Sequence, residues 1–366
     1  MAIDVIANIA ANLPLIFQSE GERLWNREAP LLARIDQKRG MGPGVQWTVS
    51  NGGSTAVNPG EGDDVQSSEF AQDDRVKLTL SRGIYRSSFG FTHTELATVA
   101  SYMTNPEIVA DFIKDRLKDA YLESLAKLAN KIEQDMLVGT GTTTSPLSAS
   151  VNNVVGLLSA LKTTGSYAGQ TLSGNAGLVA NVQSAVGNIS RPILDLAFSE
   201  IEQTTGTVPD FIMCSPATAR FIKGISDTQV RYNEPQMAGF ARELGLGMAP
   251  QSMGQSVMSY NGVPVFQNSA WYQAGGDGYV VLGRLQDLSL NHLPYAAWGD
   301  AVTDREQGAV SSNGQAMSQV GPQCKVYALA KTGSSVKFAI ECEVQLQVKA
   351  PNRFALITGV TGFTAS

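Results

Sequence analysis

The chain has 366 residues, and its 27 Lys plus Arg against 33 Asp plus Glu give a formal net charge of −6. Charged residues make up 16% of the chain, below the roughly 25% usual for soluble domains, whereas the hydrophobic share of 43% is ordinary. An acidic chain without a run of basic residues disfavours nucleic-acid binding through a basic footprint, and the shortage of charge indicates a surface largely covered by protein, most simply by copies of the same chain.

The first 35 residues are typical of an arm rather than a domain. Residues 3–17 carry apolar side chains at helical three- and four-residue steps, and a second apolar cluster lies between Trp25 and Ile35. Neither piece is long enough to bury its own apolar face. We therefore expect the arm to lie on another part of the chain or on a neighbouring subunit.

A long hairpin is predicted next. A short strand at 45–49 and an alternating β pattern at 75–91 flank residues 51–74, which are rich in Gly, Asn, Ser and Asp. A stretch of that length without structure is rare inside a compact domain, and a lone hairpin is marginally stable in water. The sequence therefore predicts a projecting hairpin that takes its stability from a partner surface.

The clearest element is a long amphipathic helix. Asn105-Pro106-Glu107 forms a helix start and Gly139 a stop, so residues 106–138 predict a rod of roughly 50 Å. Apolar residues follow one face throughout: Val109, Phe112, Ile113, Leu117, Tyr121, Leu125, Leu128, Ile132 and Met136. We expect this face to be buried and the opposite, charged face to be solvated.

The remaining elements mix helices and strands without a regular βαβ rhythm. Helices are predicted at 192–205 and from Ser215-Pro216, and loops at 233–259. Strands are predicted at 208–214, 262–267, 278–283, 336–348 and 354–360. This order favours the α+β class over a doubly wound sheet.

The sequence carries no recognisable catalytic, cofactor or metal motif. The cysteines, Cys214, Cys324 and Cys342, are odd in number and lack CxxC spacing, which favours reduced and mostly buried thiols. The two histidines, His93 and His292, are interpreted as structural. No segment has the ~18 apolar residues of a membrane span, and the start lacks the charge of a secretory signal, so an intracellular protein is expected.

Two further patterns contain residue types that could form a catalytic site. The acidic pairs 63–64 and 73–74 lie in the predicted hairpin tip, where solvated carboxylates or salt bridges to a neighbouring chain are favoured over a catalytic pair. A soluble hydrolase that uses Ser215 or Cys214 beside His292 remains open as an alternative of a different class. A monomer in analytical ultracentrifugation would support it.

Several segments together resemble one family. They are Glu61-Gly62 followed by RVKLTLSRGIYRSSFGFTHTEL (75–96), MLVGTGTTTSP (136–146), FIMCSPATARFIKGI (211–225), YNGVPVFQNSAW (260–271) and AIECEVQLQVKAPNRFALITG (339–359). In this order they resemble the major capsid proteins of tailed double-stranded DNA phages. That family has the HK97-like capsid fold, which encapsulins and herpesvirus capsid floors share.

The resemblance implies a domain plan and a function. It implies an N-terminal arm (1–40), an extended hairpin loop (41–100), a peripheral domain (101–150 plus 336–366) with the spine helix (106–138), and an axial domain (151–335). The implied function is a structural subunit, not an enzyme and without cofactors, that forms the hexamers and pentamers of an icosahedral head around double-stranded DNA. An encapsulin-like compartment shell is the alternative within the fold.

The resemblance also implies contacts. The hairpin would lie on the next subunit, with contacts from Glu61, Asp73, Asp74, Arg75, Lys77 and Arg82. Because some members cross-link a hairpin lysine to an asparagine of the peripheral domain, Lys77 and Asn352 are a speculative pair. Other implied partners are portal, scaffolding and decoration proteins, with DNA nearby but not specifically bound and no membrane. The expected location is the virion capsid, assembled in the host cytoplasm.

Overall fold

The computed structural model describes residues 29–39, 44–50, 75–92, 106–141, 153–227, 258–293, 324–329 and 335–364. The helices are α1 (Pro106–Val138), α2 (Leu157–Ala160), α3 (Arg191–Thr205), α4 (Pro216–Asp227) and α5 (Ser269–Gln273). The strands are β1 (Asp36–Arg39), β2 (Gly44–Ser50), β3 (Arg75–Ser81), β4 (Gly83–Thr92), β5 (Ser166–Tyr167), β6 (Gln170–Thr171), β7 (Asn181–Gln183), β8 (Gly187–Ile189), β9 (Phe211–Cys214), β10 (Met258–Tyr260), β11 (Val263–Gln267), β12 (Val280–Gly283), β13 (Leu288–His292), β14 (Lys325–Ala328), β15 (Ser335–Val348), β16 (Ala355–Ile357) and β17 (Val360–Phe363). The predicted arm helix at 3–17, the hairpin tip at 51–74 and most of the predicted 233–259 loops lie outside the described residues.

Helix α1 is the predicted spine helix, and its ends fall where the start and stop signals place them. The predicted apolar stripe is buried along the described side chains, at Tyr121, Leu125, Leu128, Ile132 and Met136. On the opposite face the Lys127 ammonium lies 2.7 Å from the Glu123 carboxylate, the expected i,i+4 pair. The stripe therefore fixes which side of the helix faces the core.

The five-stranded sheet is organised around the long strand β15. Strand β4 pairs antiparallel along one edge, from Gly83 opposite Val344 to Thr92 opposite Ser335. Strands β14 and β13 share the other edge, and β1 adds in parallel to β13. Ile340, Cys342, Val344 and Leu346 belong to the same buried cluster as the spine-helix stripe. The helix and this sheet thus build the first core.

The second core lies around the six-stranded sheet, whose strand order is β10-β11-β9-β12-β16-β7. Its central strands β9 and β12 are buried on both faces, as their uninterrupted apolar sequences predict. Helices α3 and α4 cover this sheet with buried side chains such as Leu194, Phe198 and Ile222. The α+β class is confirmed.

The two predicted closing strands separate. The first is β15, but the second is divided into β16 and β17 on either side of a turn at Gly359, where φ is +74°. Strand β16 joins the six-stranded sheet and β17 pairs with β8, whereas the resemblance grouped 336–366 with the spine helix. Conversely, β13 and β14 pair with β15 although they fall inside the range expected to be axial.

The predicted hairpin also needs a correction. β2 pairs with β3 from Gly44 opposite Ser81 to Ser50 opposite Arg75, but the pattern predicted as continuous over 75–91 breaks at Arg82. The following strand, β4, belongs to the five-stranded sheet. Only β2 and β3 therefore form the hairpin base.

No helix in the described part of the chain is long and apolar enough to cross a membrane.

Candidate assembly site

The hairpin base has one polar and one apolar face. Arg75, Lys77 and Thr79 point to the exposed face of β3, and the register sets Thr48 opposite Lys77 and Gln46 opposite Thr79. All five carry polar or charged groups suited to a wet contact. This polar face, defined by these five residues, is exposed in the described part of the hairpin.

The apolar face of the hairpin base packs on its own chain. Leu78 and Leu80 are buried, and the ring of Trp47 meets the ring of Tyr167 edge-on at 6.2 Å. Trp47 Nε1 donates a hydrogen bond of 3.2 Å to the carbonyl of Lys349. The expectation that the whole hairpin depends on a partner is therefore wrong for its base, which is anchored within the subunit.

The predicted contact residues are distributed unevenly. Glu61, Asp73 and Asp74 lie outside the described residues, whereas Arg75 and Lys77 are exposed on the polar face. The third described candidate, Arg82, differs from these two because its Nε lies 2.8 Å from Oε2 of the buried Glu343.

A second arginine pairs on the same sheet, one the sequence did not single out. Arg86 approaches Glu341 Oε2 with Nε at 2.9 Å and Nη2 at 2.8 Å, and the Tyr327 hydroxyl donates to the same oxygen at 2.6 Å. Burial raises the pKa of Glu343, and its partner Arg82 opposes the rise. These charge pairs neutralise buried carboxylates on β15, so Arg82 and Arg86 act mainly within the subunit.

The N-terminal segment is fastened to the spine helix by one buried carboxylate. Glu133 is fully buried and accepts hydrogen bonds from the amides of Leu31 at 2.8 Å and Leu32 at 3.1 Å. It also accepts one from Asn268 Nδ2 at 2.5 Å, while Asn268 Oδ1 caps α5 by accepting from the Trp271 amide at 3.2 Å. We call Glu133 with Leu31, Leu32 and Asn268 the Glu133 anchor.

The guanidinium of Arg34 supports this anchor. It stacks over the Phe266 ring at 4.1 Å from the centroid, and Nη1 donates to the Pro30 carbonyl at 2.6 Å. Its positive charge favours the ionised form of Glu133. The predicted apolar cluster before residue 36 thus covers its own subunit, through the buried Leu31, Leu32 and Ile35.

A second buried carboxylate, that of Asp135, joins the spine helix to β4 and to the segment around Val154, which follows the helix in the chain. The Tyr85 hydroxyl donates to Asp135 Oδ2 at 3.0 Å and accepts from the Val154 amide at 3.0 Å. Lys131 Nζ reaches Asp135 Oδ1 at 2.8 Å. Burial and the neighbouring carboxylate raise the pKa of Tyr85, so its proton stays available for this bond.

The sequence pattern predicts neither of the two buried carboxylates. Glu133 and Asp135 lie between the apolar positions Ile132 and Met136, and the apolar stripe predicted from the sequence includes neither of them. The only signal was position, because Glu133 follows Ala129 by four residues and so shares its side of the helix. The groups that bind Glu133 are about a hundred positions away in the sequence.

The raised pKa of Glu133 predicts a pH-dependent stability. Burial lifts this pKa to about 7 from 4.5, although three hydrogen bonds and Arg34 oppose the rise. Between these values the folded chain holds a proton that the unfolded chain has released, so stability falls as pH rises through this window and levels off above it. The slope contributed is at most about 1.4 kcal/mol per pH unit. Urea unfolding of the wild type and Glu133→Gln between about pH 4.5 and about pH 8 checks this, because equal slopes would contradict it.

The residues of the hydrolase alternative do not form a nucleophilic site. Ser215 Oγ donates to Asp277 Oδ1 at 2.6 Å and accepts from the Thr218 amide at 3.2 Å, the geometry of a helix cap. Burial raises the pKa of the Cys214 thiol, opposite to the activation of a nucleophile. His292 lies in the other sheet, and His93 lies outside the described residues.

The speculative cross-link residues lie in different settings. Lys77 is exposed on the polar face of the hairpin, and Asn352 is half-buried in the turn Pro351–Arg353. The backbone carbonyl of Asn352 accepts a hydrogen bond of 3.4 Å from Asn181 Nδ2.

Within the described residues, no cluster of three His, Cys, Asp or Glu side chains could hold a metal ion.

The family comparison matches almost the whole chain. The model of the family described as SU10 major capsid protein matches residues 23–361. No curated protein matches this sequence.

Solved capsid structures share the fold. The chain is similar to a protein of the cyanophage A-1(L) capsid asymmetric unit, with a TM-score of 0.60, 14% identity and coverage of 91% of this chain and 92% of that one. It is similar to the capsid protein of an empty GTA particle, with a TM-score of 0.53, 12% identity and coverage of 91% and 90%. A protein of Mycobacterium phage Bobi gives a TM-score of 0.50, 11% identity and coverage of 91% of each chain.

Proposed function

The chain belongs to the family of SU10 major capsid proteins, and from this premise we propose that its copies form the hexamers and pentamers of an icosahedral phage head that encloses double-stranded DNA. Its role is structural, and its place is the virion capsid. The observation that carries the proposal is the family match over residues 23–361, which spans the hairpin base, the spine helix and both sheets. The net charge of −6 fits a wall that does not hold DNA tightly, since tight binding needs many Lys and Arg on phosphates.

Imaging of the assembled protein tests this function. Purified particles should be closed and icosahedral by cryo-electron microscopy, and those from phage should hold nuclease-resistant DNA. Particles that hold a protein cargo and no DNA would instead support the encapsulin-like shell. A protein that stays monomeric in analytical ultracentrifugation under all assembly conditions would contradict both shell functions.

The hairpin is the contact we assign to the next subunit. Its apolar face is already buried in its own chain, so the polar face with Arg75 and Lys77 is the surface it can offer. Glu61, Asp73 and Asp74 extend the same proposal into the tip. Arg82 contributes less, because it pairs with Glu343 in the same subunit.

We expect the charge reversal Arg75→Glu with Lys77→Glu to reduce assembly at least tenfold while the subunit stays folded. Both side chains are exposed, so their replacement leaves the buried Leu78 and Leu80 in place. Particle yield by sedimentation and thermal unfolding of the subunit measure the two effects separately. The matched control, Arg75→Lys with Lys77→Arg, keeps the charge and should assemble normally. Wild-type yield from the reversed variant would refute the contact.

The Lys77–Asn352 cross-link remains a prediction. Mature particles boiled in SDS should show bands above the monomer of 38.9 kDa, and Lys77→Arg, which keeps the charge but not the primary amine, should abolish them. If the wild type shows only the monomer band, the cross-link is refuted, whereas the capsid role is unaffected.

We propose a division into a peripheral and an axial part with exchanged strands. The peripheral part takes α1, β4 and β15 together with β1, β13 and β14, and the axial part takes the six-stranded sheet with β16, together with β17 beside it. This keeps each sheet whole and replaces the ranges 101–150 plus 336–366 and 151–335. Assembly in the host cytoplasm and contacts with portal, scaffolding and decoration proteins belong to the same proposal.

A further inference from the structure

Cys324 and Cys342 lie opposite each other on neighbouring antiparallel strands. In the β14–β15 ladder Lys325 is opposite Glu341, and one further step places Cys324 opposite Cys342. Cys342 is buried and Cys324 is half-buried. The two thiols are close enough to share a hydrogen bond. The sequence, in which 17 residues separate them, gave no hint of this pairing.

The ladder also tells which kind of pair they form. The Leu329 amide donates to the Lys337 carbonyl at 2.9 Å, so these two residues are a hydrogen-bonded pair. Since hydrogen-bonded and non-hydrogen-bonded pairs alternate, Lys325–Glu341 is of the first kind and Cys324–Cys342 of the second. In non-hydrogen-bonded pairs the Cα atoms approach to about 4.5 Å, within the roughly 4.4–6.8 Å that a disulfide spans.

We propose that Cys324 and Cys342 are a covalent modification site, at which a cross-strand disulfide closes by exchange with a small-molecule disulfide such as oxidised glutathione. The thiolate of the half-exposed Cys324 attacks one sulfur of the reagent, and the first glutathione thiolate leaves and takes up a proton. Cys342, deprotonated in turn, attacks Cys324 Sγ and releases the second glutathione. Two protein thiols and one reagent disulfide thus become one protein disulfide and two free thiols.

The order of these two attacks follows from the surroundings of each sulfur. The hydrogen bond that the Cys342 thiol donates to Cys324, its burial and the carboxylates of Glu341 and Glu343 raise the pKa of Cys342. Cys342 is therefore the poorer first nucleophile and the resolving thiol. The Cys342 side chain lies on the packed face of β15, which keeps it aimed at its partner.

The bond would fasten a weak edge of the fold. Strand β14 is four residues long and, among the described strands, pairs with β15 alone. A disulfide at Cys324 would fasten the start of β14 to β15. It would also close a covalent loop through the residues that join the two strands. If the chain is a capsid subunit, as proposed above, the thiols stay reduced in the cell and the bond closes after release into an oxidising medium. Only this timing rests on the proposed function.

The test uses the purified full chain, first reduced and then exposed to oxidised glutathione. We expect its intact mass to fall by two hydrogen atoms, a single new peptide joining Cys324 to Cys342, and full reversal by reductant. The midpoint of thermal unfolding should rise by several degrees on oxidation. Cys324→Ser, at a half-exposed position, should lose both effects and keep the reduced midpoint. Cys342→Ser should retain glutathione on Cys324.

Other results of the same experiment would contradict the proposal. A stable glutathione adduct on wild-type Cys324, a disulfide to Cys214, or no mass change would each mean that the two sulfurs do not meet, and would overturn the proposal. A Cys324–Cys342 bond without a rise in the unfolding midpoint would refute the fastening of β14. None of these results depends on whether the chain assembles.

Discussion

Glu133→Ala should lower the free energy of unfolding by about 3–6 kcal/mol, because it leaves two buried amides and the Asn268 side chain without their acceptor. Each orphaned donor costs about 1–3 kcal/mol, and the truncation also opens a cavity where Glu133 is fully buried. This is a large part of the roughly 5–15 kcal/mol that a typical domain has. The expected result is a chain that is largely unfolded at moderate urea concentrations and does not assemble.

Urea unfolding followed by tryptophan fluorescence measures this effect. Glu123→Ala is the matched control, because it removes a carboxylate from the same helix at a side chain that is 68% exposed. We expect no measurable change in that variant. If the two variants unfold at the same urea concentration, the Glu133 anchor does not hold the N-terminal segment.

Gly139→Ala should cost about 3 kcal/mol, near the upper end of overpacking effects. A Cβ at this position would fall inside contact distance of two backbone carbonyls, those of Val154 and Asp135. Neither carbonyl can move away, because a hydrogen bond of 2.8 Å from the Gly156 amide to the Gly139 carbonyl also holds the two segments together. The end of the spine helix and the segment around Val154 therefore cross at a distance that only glycine allows.

Gly206→Ala is the comparison for this variant. Gly206 ends α3 with φ at +70°, but no atom lies within 4 Å of its added Cβ. Its cost should be the backbone strain alone, about 1 kcal/mol. Thermal unfolding of both variants decides the point: equal losses would mean that the crossing at Gly139 is no tighter than open surface.

The elements that the sequence predicted well are those with local causes. The spine helix follows from a 3.6-residue apolar period between Pro106 and Gly139, and the β2–β3 pairing from alternation on both sides of a turn-rich segment. The order of these motifs was enough to identify the family. Each of these signals lies within a short window of the chain.

The elements that were missed have distant causes. Glu133 is buried because Leu31 and Asn268 donate to it, from positions more than a hundred residues away. The break at Arg82 and the departure of β16 from β15 depend on which strands become neighbours, and alternation alone does not encode this choice. The resemblance implied a contact of Arg82 with the next subunit, which stays a prediction; the pair that Arg82 forms with the buried Glu343 of its own chain had no signal in the sequence.

The central position of β15 also sets an order of events during synthesis. β1, β4, β13 and β14 all precede it in the chain, and three of them pair with it directly. Until residue 348 has left the ribosome, the five-stranded sheet lacks its central strand, and the core that the spine helix shares with β15 is incomplete. The earlier strands β4, β13 and β14 thus remain without their shared partner strand until β15 has been made. The five-stranded sheet can therefore form only after β15 has been made, so the folding of the first core follows the synthesis of the other strands in that sheet.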